Sequence, residues 1–137
     1  MKKILLLLLL SCSLSMHAAN PKPFTIPELK TWYGGKGSFV PTKASRIVYT
    51  GNDKRVAMAL EVFAADYQKM FNTSLPIVKD KARAGDFQFA VSTKKGFKAK
   101  AGDEAYNINI GRVARVEAAT PQGIQWATRT ILQLCRQ

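Results

Sequence analysis

The stretch that decides the fold is Gly102-Asp-Glu-Ala-Tyr-Asn-Ile-Asn-Ile-Gly111, followed by Val113-Ala-Arg-Val-Glu-Ala-Ala-Thr-Pro-Gln-Gly123 and Ile124-Gln-Trp-Ala-Thr-Arg-Thr-Ile-Leu-Gln-Leu134. In residues 106–110, apolar side chains alternate with asparagines, and this period of two predicts a strand with one buried face. Gly111-Arg112 then predicts a tight hairpin turn, and residues 113–119 predict the return strand.

A helix is predicted directly after the return strand. Thr120 is a suitable N-cap, and Pro121 is tolerated at the first helical position because its missing N–H costs no hydrogen bond there. Apolar residues then recur at spacings of three and four, which predicts a helix face that packs on the sheet. They are Ile124, Ala127, Ile131 and Leu134.

A second, longer helix is predicted over residues 53–71. Gly51-Asn52-Asp53 ends the preceding strand and offers an N-cap. Apolar residues at spacings of three and four predict one buried stripe, which indicates core packing rather than a ligand site. The stripe consists of Val56, Ala59, Leu60, Phe63, Tyr67, Met70 and Phe71.

The remaining segments predict further strands. Residues 46–50 and 87–91 are rich in β-branched and aromatic side chains, and residues 75–78 lead into another strand. Residues 30–33 predict a short strand before a glycine-rich turn, whereas the prolines within residues 20–27 exclude a helix there. We therefore predict an α+β fold, a mainly antiparallel sheet with two helices packed on it.

The N-terminus predicts a secretory signal peptide. Lys2 and Lys3 precede an apolar run over residues 4–10, which is too short to span a bilayer, and small residues follow. We assign residues 1–19 to the signal peptide and residues 20–137 to one domain, exported to the periplasm or the cell exterior.

Processing of this leader has two alternatives. Cleavage after Ala18 or Ala19 releases a plain exported protein. Leu9-Leu10-Ser11-Cys12 is also similar to a bacterial lipoprotein box, which would place a lipid on Cys12 and anchor the protein to a membrane. The apolar character continues beyond Cys12, and this favours the first alternative.

The chain is strongly basic, with 21 Lys and Arg against nine Asp and Glu, a formal charge of +12. Without Lys2 and Lys3, 19 basic residues face the same nine acids, so the mature charge is +10. Such a charge suits anionic partners. The basic residues are scattered, however, and only the cluster of Lys94, Lys95, Lys98 and Lys100 stands out. We interpret this cluster as a solvated loop and expect no nucleic-acid partner.

Cysteine and histidine are almost absent from the mature chain. Cys135 is its one cysteine, so no intramolecular disulfide is expected, and the only histidine, His17, lies at the signal junction. Nucleophile pairs and metal sites that need histidine are therefore excluded. We expect Cys135 to be a packed or exposed helix residue rather than a nucleophile.

The element order resembles the N-terminal accessory domain of bacterial glycoside hydrolase family 20 β-N-acetylhexosaminidases. Two motifs carry this resemblance, Gly102-Asp-Glu-Ala-Tyr106 and Gly123-x-x-Trp126-x-x-x-Thr130-x-Leu132-Gln133-Leu134. The resemblance covers about residues 25–134. It implies a non-catalytic domain without a cofactor, whose partner is a catalytic (β/α)8 barrel that follows it in the same chain.

The resemblance also implies that the chemistry belongs to that barrel. There a glutamic acid protonates the leaving oxygen, and an aspartate orients the acetamido group of the substrate as nucleophile. Asp103-Glu104 does not match the barrel motif, and as strand-opening neighbours these residues are expected to point to opposite faces. We therefore assign no catalytic, cofactor-binding or metal-binding residue to this chain.

Three aromatic residues are candidates for stacking on sugars. Trp126 lies on the last helix and is expected to pack against the sheet or the barrel. For Trp32 and Tyr33, beside the glycine-rich turn, structural packing is the preferred interpretation.

The leading functional hypothesis is an accessory domain of an exported hexosaminidase-like enzyme, inactive alone because a barrel takes about 250 residues. The alternative is a stand-alone exported protein that uses a basic surface to bind an anionic glycan or envelope lipid. An independent small enzyme is disfavoured, because the mature chain lacks histidine and a convergent acid pair.

Overall fold

The computed structural model describes residues 19–94 and 102–137. Within these ranges the chain forms five strands and two helices. In chain order they are β1 (Ile47–Val48), α1 (Lys54–Phe71), β2 (Ile77–Val78), β3 (Phe87–Val91), β4 (Tyr106–Ile110), β5 (Ala114–Ala118) and α2 (Pro121–Leu134). Each of these elements lies inside a predicted segment or differs from it by a few residues.

The strands form one mixed sheet in the order β2-β1-β3-β5-β4. β1 is parallel to β2 and β3, β3 is parallel to β5, and β4 is antiparallel to β5. Both helices pack on one face, which confirms the α+β class. Among these four strand pairs, however, only β4–β5 is antiparallel, whereas the sequence predicts mainly antiparallel pairs. The reason is that α1 carries the chain back across the sheet before β2 begins, and such a crossover makes β1 and β2 parallel.

The strand predicted at residues 30–33 is not present. This segment belongs to a loop that closes on Asn20, whose backbone amide donates to the Gly35 carbonyl at 2.8 Å. The Trp32 indole Nε1 donates to the Asn20 carbonyl at 3.1 Å. These polar groups therefore pair within the loop instead of with the sheet.

α1 begins and ends at the residues that the sequence predicts. The Asp53 carboxylate caps the first turn by accepting from the Arg55 amide at 2.8 Å. Asn72 ends the helix in the left-handed region, with φ at 50°, and its amide donates to the Gln68 carbonyl at 2.9 Å. The fully buried members of the predicted stripe are Val56, Leu60, Phe63 and Tyr67, whereas Met70 in the last turn is exposed.

α2 lies very close to the sheet at its first turn. Thr120 caps this helix by accepting from the Gly123 amide at 3.4 Å. A Cβ atom on Gly123 would lie 2.6 Å from the carbonyl oxygen of Ala105 and 3.0 Å from the Cβ of Ala118. Glycine at this position therefore allows α2 to pack directly on the end of the hairpin.

The hydrophobic core fills the space between the helices and one face of the sheet. Phe63 of α1 makes edge-to-face contacts with Phe87 and Phe89 of β3, each at a centroid distance of 5.7 Å. The register places Phe87 beside Ala114 and Phe89 beside Val116, so this face continues into β5. The members that α2 adds to the core are Ile124, Ala127, Ile131 and Leu132.

A buried ion pair connects β1 to the start of β3. The Asp86 side chain is fully buried and accepts from Arg46 Nη2 at 2.7 Å, from the Arg46 amide at 3.1 Å and from the Arg83 amide at 3.0 Å. Arg46 also binds the exposed carboxylate of Asp80 at 2.7 Å. Burial raises the pKa of Asp86, but the hydrogen bonds and charge of Arg46 and the Arg83 amide outweigh it and hold the pKa below its usual value.

We expect Gly123→Ala to destabilise the protein by about 1–3 kcal/mol, the usual cost of overpacking, because the new methyl group meets backbone and a strand side chain. Urea unfolding followed by circular dichroism measures the change. Gly111→Ala is the matched control, since nothing lies within 4 Å of its added Cβ. Equal stabilities of the two variants would contradict the close approach of α2.

We expect Asp86→Asn to cost about 3 kcal/mol at pH 7, because it removes the buried carboxylate of the ion pair and leaves Arg46 with only the exposed Asp80 as a charged partner. Asp80→Asn removes the exposed partner of the same arginine and should cost much less.

The effect of Asp86→Asn should also depend on pH. A lowered folded-state pKa means that Asp86 stabilises the fold above its unfolded-state pKa of about 3.9. This contribution is lost as the pH falls through the folded-state value. Urea unfolding at pH 7 and at pH 3 should therefore show the variant and the wild type converging in acid, and a constant difference would contradict the assignment.

Candidate functional site

Asp103 and Glu104 lie in an exposed turn, not in a strand. β4 begins two residues later, at Tyr106, so the prediction that they open the strand is wrong in this detail. The backbone of the turn is part of the structure of α2, because Thr120 Oγ1 donates to the Asp103 carbonyl. An exposed turn is unlike the surroundings that let a carboxylic acid keep its proton for general acid catalysis.

Cys135 is a half-buried residue at the end of α2. Burial raises the pKa of its thiol to about 11. Burial and the neighbouring Cys135 raise the pKa of Tyr67 to about 12. The thiol is therefore protonated at neutral pH and is a poor nucleophile, as expected for a packed cysteine.

Within residues 19–94 and 102–137, no three His, Cys, Asp or Glu side chains are grouped so that they could hold a metal ion. The helices in these ranges are also too short or too polar to cross a membrane.

The first lysine of the basic cluster has an acidic partner. Lys94 Nζ lies 3.3 Å from the Glu117 carboxylate, which also accepts from Ser92 Oγ at 2.7 Å. The hydrogen bond from Ser92 and the proximity of Lys94 lower the pKa of Glu117, so it is ionised at neutral pH. The other members, Lys95, Lys98 and Lys100, lie outside the described residues.

Packing does not account for all three aromatic candidates. Trp32 is half-buried and hydrogen-bonded, whereas Tyr33 is 89% exposed, so the packing expected for Tyr33 is wrong. The loop geometry explains the difference, because its closure on Asn20 engages the Trp32 indole and leaves the next side chain outside. A Cβ on Gly34 would collide with the Asn20 carbonyl, so this closure requires glycine.

Besides Met70 in the last turn of α1, three large apolar side chains of the two helices are exposed. They are Met58 and Val62 on α1, with 65% and 55% exposure, and Trp126 on α2, with 40% exposure. We call these three residues the outer helix surface. Trp126 is thus not part of the buried stripe of α2, and its expected packing on the sheet is wrong, whereas packing on a further domain stays a prediction.

The two helices that carry these residues pack against each other on the sheet. β1 and β5 are both parallel to β3, so they run in the same direction. α1 follows β1 and α2 follows β5, and each helix returns across the sheet against the direction of its strand. α1 and α2 therefore run in the same direction. Asp66 and Arg129 join them through an ion pair at 2.6 Å. One turn before this pair, Val62 on α1 is level with the turn of α2 that carries Trp126.

A second exposed apolar feature is the N-terminal strap, which we define as residues 23–27. Gln133 holds it by accepting from the Ile26 amide at 2.8 Å and donating to the Ile26 carbonyl at 3.0 Å. Gln137 repeats this pattern on Phe24, at 3.2 and 2.8 Å. We call Gln133 and Gln137 the glutamine clamp. No sequence pattern predicts this clamp, because the paired residues are more than 100 positions apart.

The chain matches the family model described as glycosyl hydrolase family 20, domain 2. The match covers residues 22–137, which include the strap, every described strand and helix, and the clamp. No curated protein matches the chain. The match confirms the resemblance that the two sequence motifs indicate.

Proposed function

The chain belongs to the family described as glycosyl hydrolase family 20, domain 2, and we propose that it acts as the non-catalytic accessory domain of an exported β-N-acetylhexosaminidase-like enzyme. The observation that carries this proposal is the match over residues 22–137. Domain 2 of this family normally lies beside the catalytic barrel of the same chain. The substrate class of the enzyme is accordingly a glycan that contains β-linked N-acetylated amino sugars.

In this arrangement the barrel supplies the acid and the substrate-orienting aspartate, and the domain supplies a rigid surface. The exposed position of Asp103 and Glu104 supports this division of roles. The core and the Arg46–Asp86 ion pair hold the sheet, so the outer helix surface is a preformed feature of the domain.

We propose that the outer helix surface contacts the barrel. Large apolar side chains that stay exposed in one region are typical of protein–protein contacts. Trp is also the residue type most enriched among those that dominate binding energy. Arg129, half-buried and paired with Asp66, would form part of the polar rim around Trp126.

Export is a further part of the proposal. Its support is the basic and apolar leader of residues 1–19, which lies almost entirely outside the described residues. Cleavage after Ala18 or Ala19 is preferred to lipidation of Cys12. A mature protein that still begins at Met1 in mass spectrometry would contradict export.

The alternative, a stand-alone protein that binds anionic glycan or lipid, has less support. It depends on a free basic surface, and Lys94, the member of the lysine cluster that the structure describes, is paired with Glu117.

We expect the purified chain to show no turnover of aryl N-acetyl-β-glucosaminides above that of a preparation from the same host carrying an empty vector. The physical reason is that its adjacent acids, Asp103 and Glu104, lie in an exposed surface turn rather than in a site that could enclose a sugar. Turnover that disappears in the Asp103→Asn/Glu104→Gln variant would overturn the non-catalytic role.

We expect Trp126→Ala to weaken binding to a separately produced catalytic barrel of a bacterial family 20 enzyme by about 30-fold, or about 2 kcal/mol, as for a central interface tryptophan. Biolayer interferometry with the immobilised full chain measures the affinity, and circular dichroism checks the fold. Tyr33→Ala is the matched control, because it removes an exposed aromatic side chain outside the outer helix surface. Equal effects of both substitutions would contradict the assignment.

A further inference from the structure

The N-terminal strap is held in an unusual way, through side-chain amides instead of a neighbouring strand. Each glutamine of the clamp uses its carbonyl oxygen and its nitrogen on the amide and carbonyl of a single strap residue. This reciprocal pattern is the one that two residues make in an antiparallel sheet. Gln133 and Gln137 thus substitute for a strand that would pair with Phe24 and Ile26.

The spacing of the two elements explains why this pairing is possible. Residues two apart in an extended chain are about 6.8 Å apart. Gln133 is in the last turn of α2 and Gln137 lies three residues beyond its end, and this separation lets their side-chain amides reach alternate strap residues. The clamp binds backbone groups only, which leaves the strap side chains free for another purpose.

The clamp determines which strap side chains are exposed. In an extended segment, alternate side chains point to opposite sides. Thr25 is 2% exposed, whereas Phe24 and Ile26 are 76% and 70% exposed. The strap therefore presents two large apolar side chains next to each other to the solvent, with their backbone ordered in advance. Such order lowers the entropic cost of binding a partner.

The strap lies on the same side of α2 as Trp126. Gln133, which holds the strap, is seven residues after Trp126, or about two helical turns along the solvent-facing side of α2. The charges beside the strap also compensate each other, because Lys22 and Glu28 form an ion pair at 2.6 Å. An apolar surface with balanced charges suits another protein surface better than an anionic glycan or a lipid headgroup.

We propose that Phe24 and Ile26 form a second contact with the catalytic barrel, and that the glutamine clamp positions them for it. This inference rests on the proposed function, because the barrel is the partner in both cases. It adds that one interface has two parts, the outer helix surface and the strap, and that both include the solvent-facing side of α2. Gln133 and Gln137 are positioning residues here, since they act through the strap backbone.

The first test removes the contact and keeps the clamp. We expect the Phe24→Ala/Ile26→Ala variant of the full chain to bind the separately produced family 20 barrel at least tenfold more weakly than the wild type, in the interferometry assay. The thermal midpoint should not change, because both side chains are already in water. The control is Tyr33→Ala/Val40→Ala, which removes two other exposed apolar side chains of the N-terminal segment and should leave the affinity unchanged.

The second test removes the clamp and keeps the contact residues. In the Gln133→Leu/Gln137→Leu variant, hydrogen exchange of the Phe24 and Ile26 amides should accelerate, because both donate to the clamp in the wild type. Affinity for the barrel should fall in parallel. Gln125→Leu, an exposed glutamine on the same helix, should change neither quantity.

The outcomes separate this inference from the proposed function. If Trp126→Ala weakens binding and Phe24→Ala/Ile26→Ala does not, the strap contact is wrong and the proposed function stands. If the wild-type chain does not bind the barrel, both fail. If light scattering shows a wild-type dimer that Phe24→Ala/Ile26→Ala converts to a monomer, the strap is an interface between two copies and the inference is overturned.

Discussion

The close approach of α2 to the hairpin at Gly123 is the constraint on which the rest of the structure depends. No larger residue fits between α2, the Ala105 carbonyl and the Ala118 side chain. Once the first turn lies there, the buried stripe of α2 closes the core over β5. The same placement aims Trp126 outward and brings Gln133 and Gln137 to the strap. A single glycine thus couples the core to both proposed contact regions.

The two faces of the helical layer have different physical roles. The inner face is apolar and fully packed, and its burial provides the main stabilisation of the domain. The outer face leaves Met58, Val62 and Trp126 partly exposed to water, so part of their apolar surface is not used in the core. Retention of apolar groups at such positions is consistent with a domain whose task is to contact another domain.

Part of this architecture was predictable from local patterns, because it depends on residues close together in sequence. The caps at Asp53 and Thr120 and the hairpin at Gly111 belong to this class. Other features depend on pairs of residues that are distant in sequence. Examples are the parallel pairing of β1 with β3, the ion pair between Asp86 and Arg46, and the glutamine clamp on Phe24 and Ile26. Their partners carry no local signal. For this reason three strand pairs are parallel where antiparallel pairs were expected, and residues 30–33 form a loop instead of the expected strand.

The sequence by itself determined the α+β class, the two helices with their buried stripes and the family to which the chain belongs. These follow from periodicity, capping chemistry and motifs, which act over a few residues. Only the tertiary structure decided the strand directions, the exposure of Trp126 and the position of the strap. These features depend on which distant groups hydrogen-bond to each other and are buried together away from water. Periodicity within one segment contains no information about which distant groups become partners.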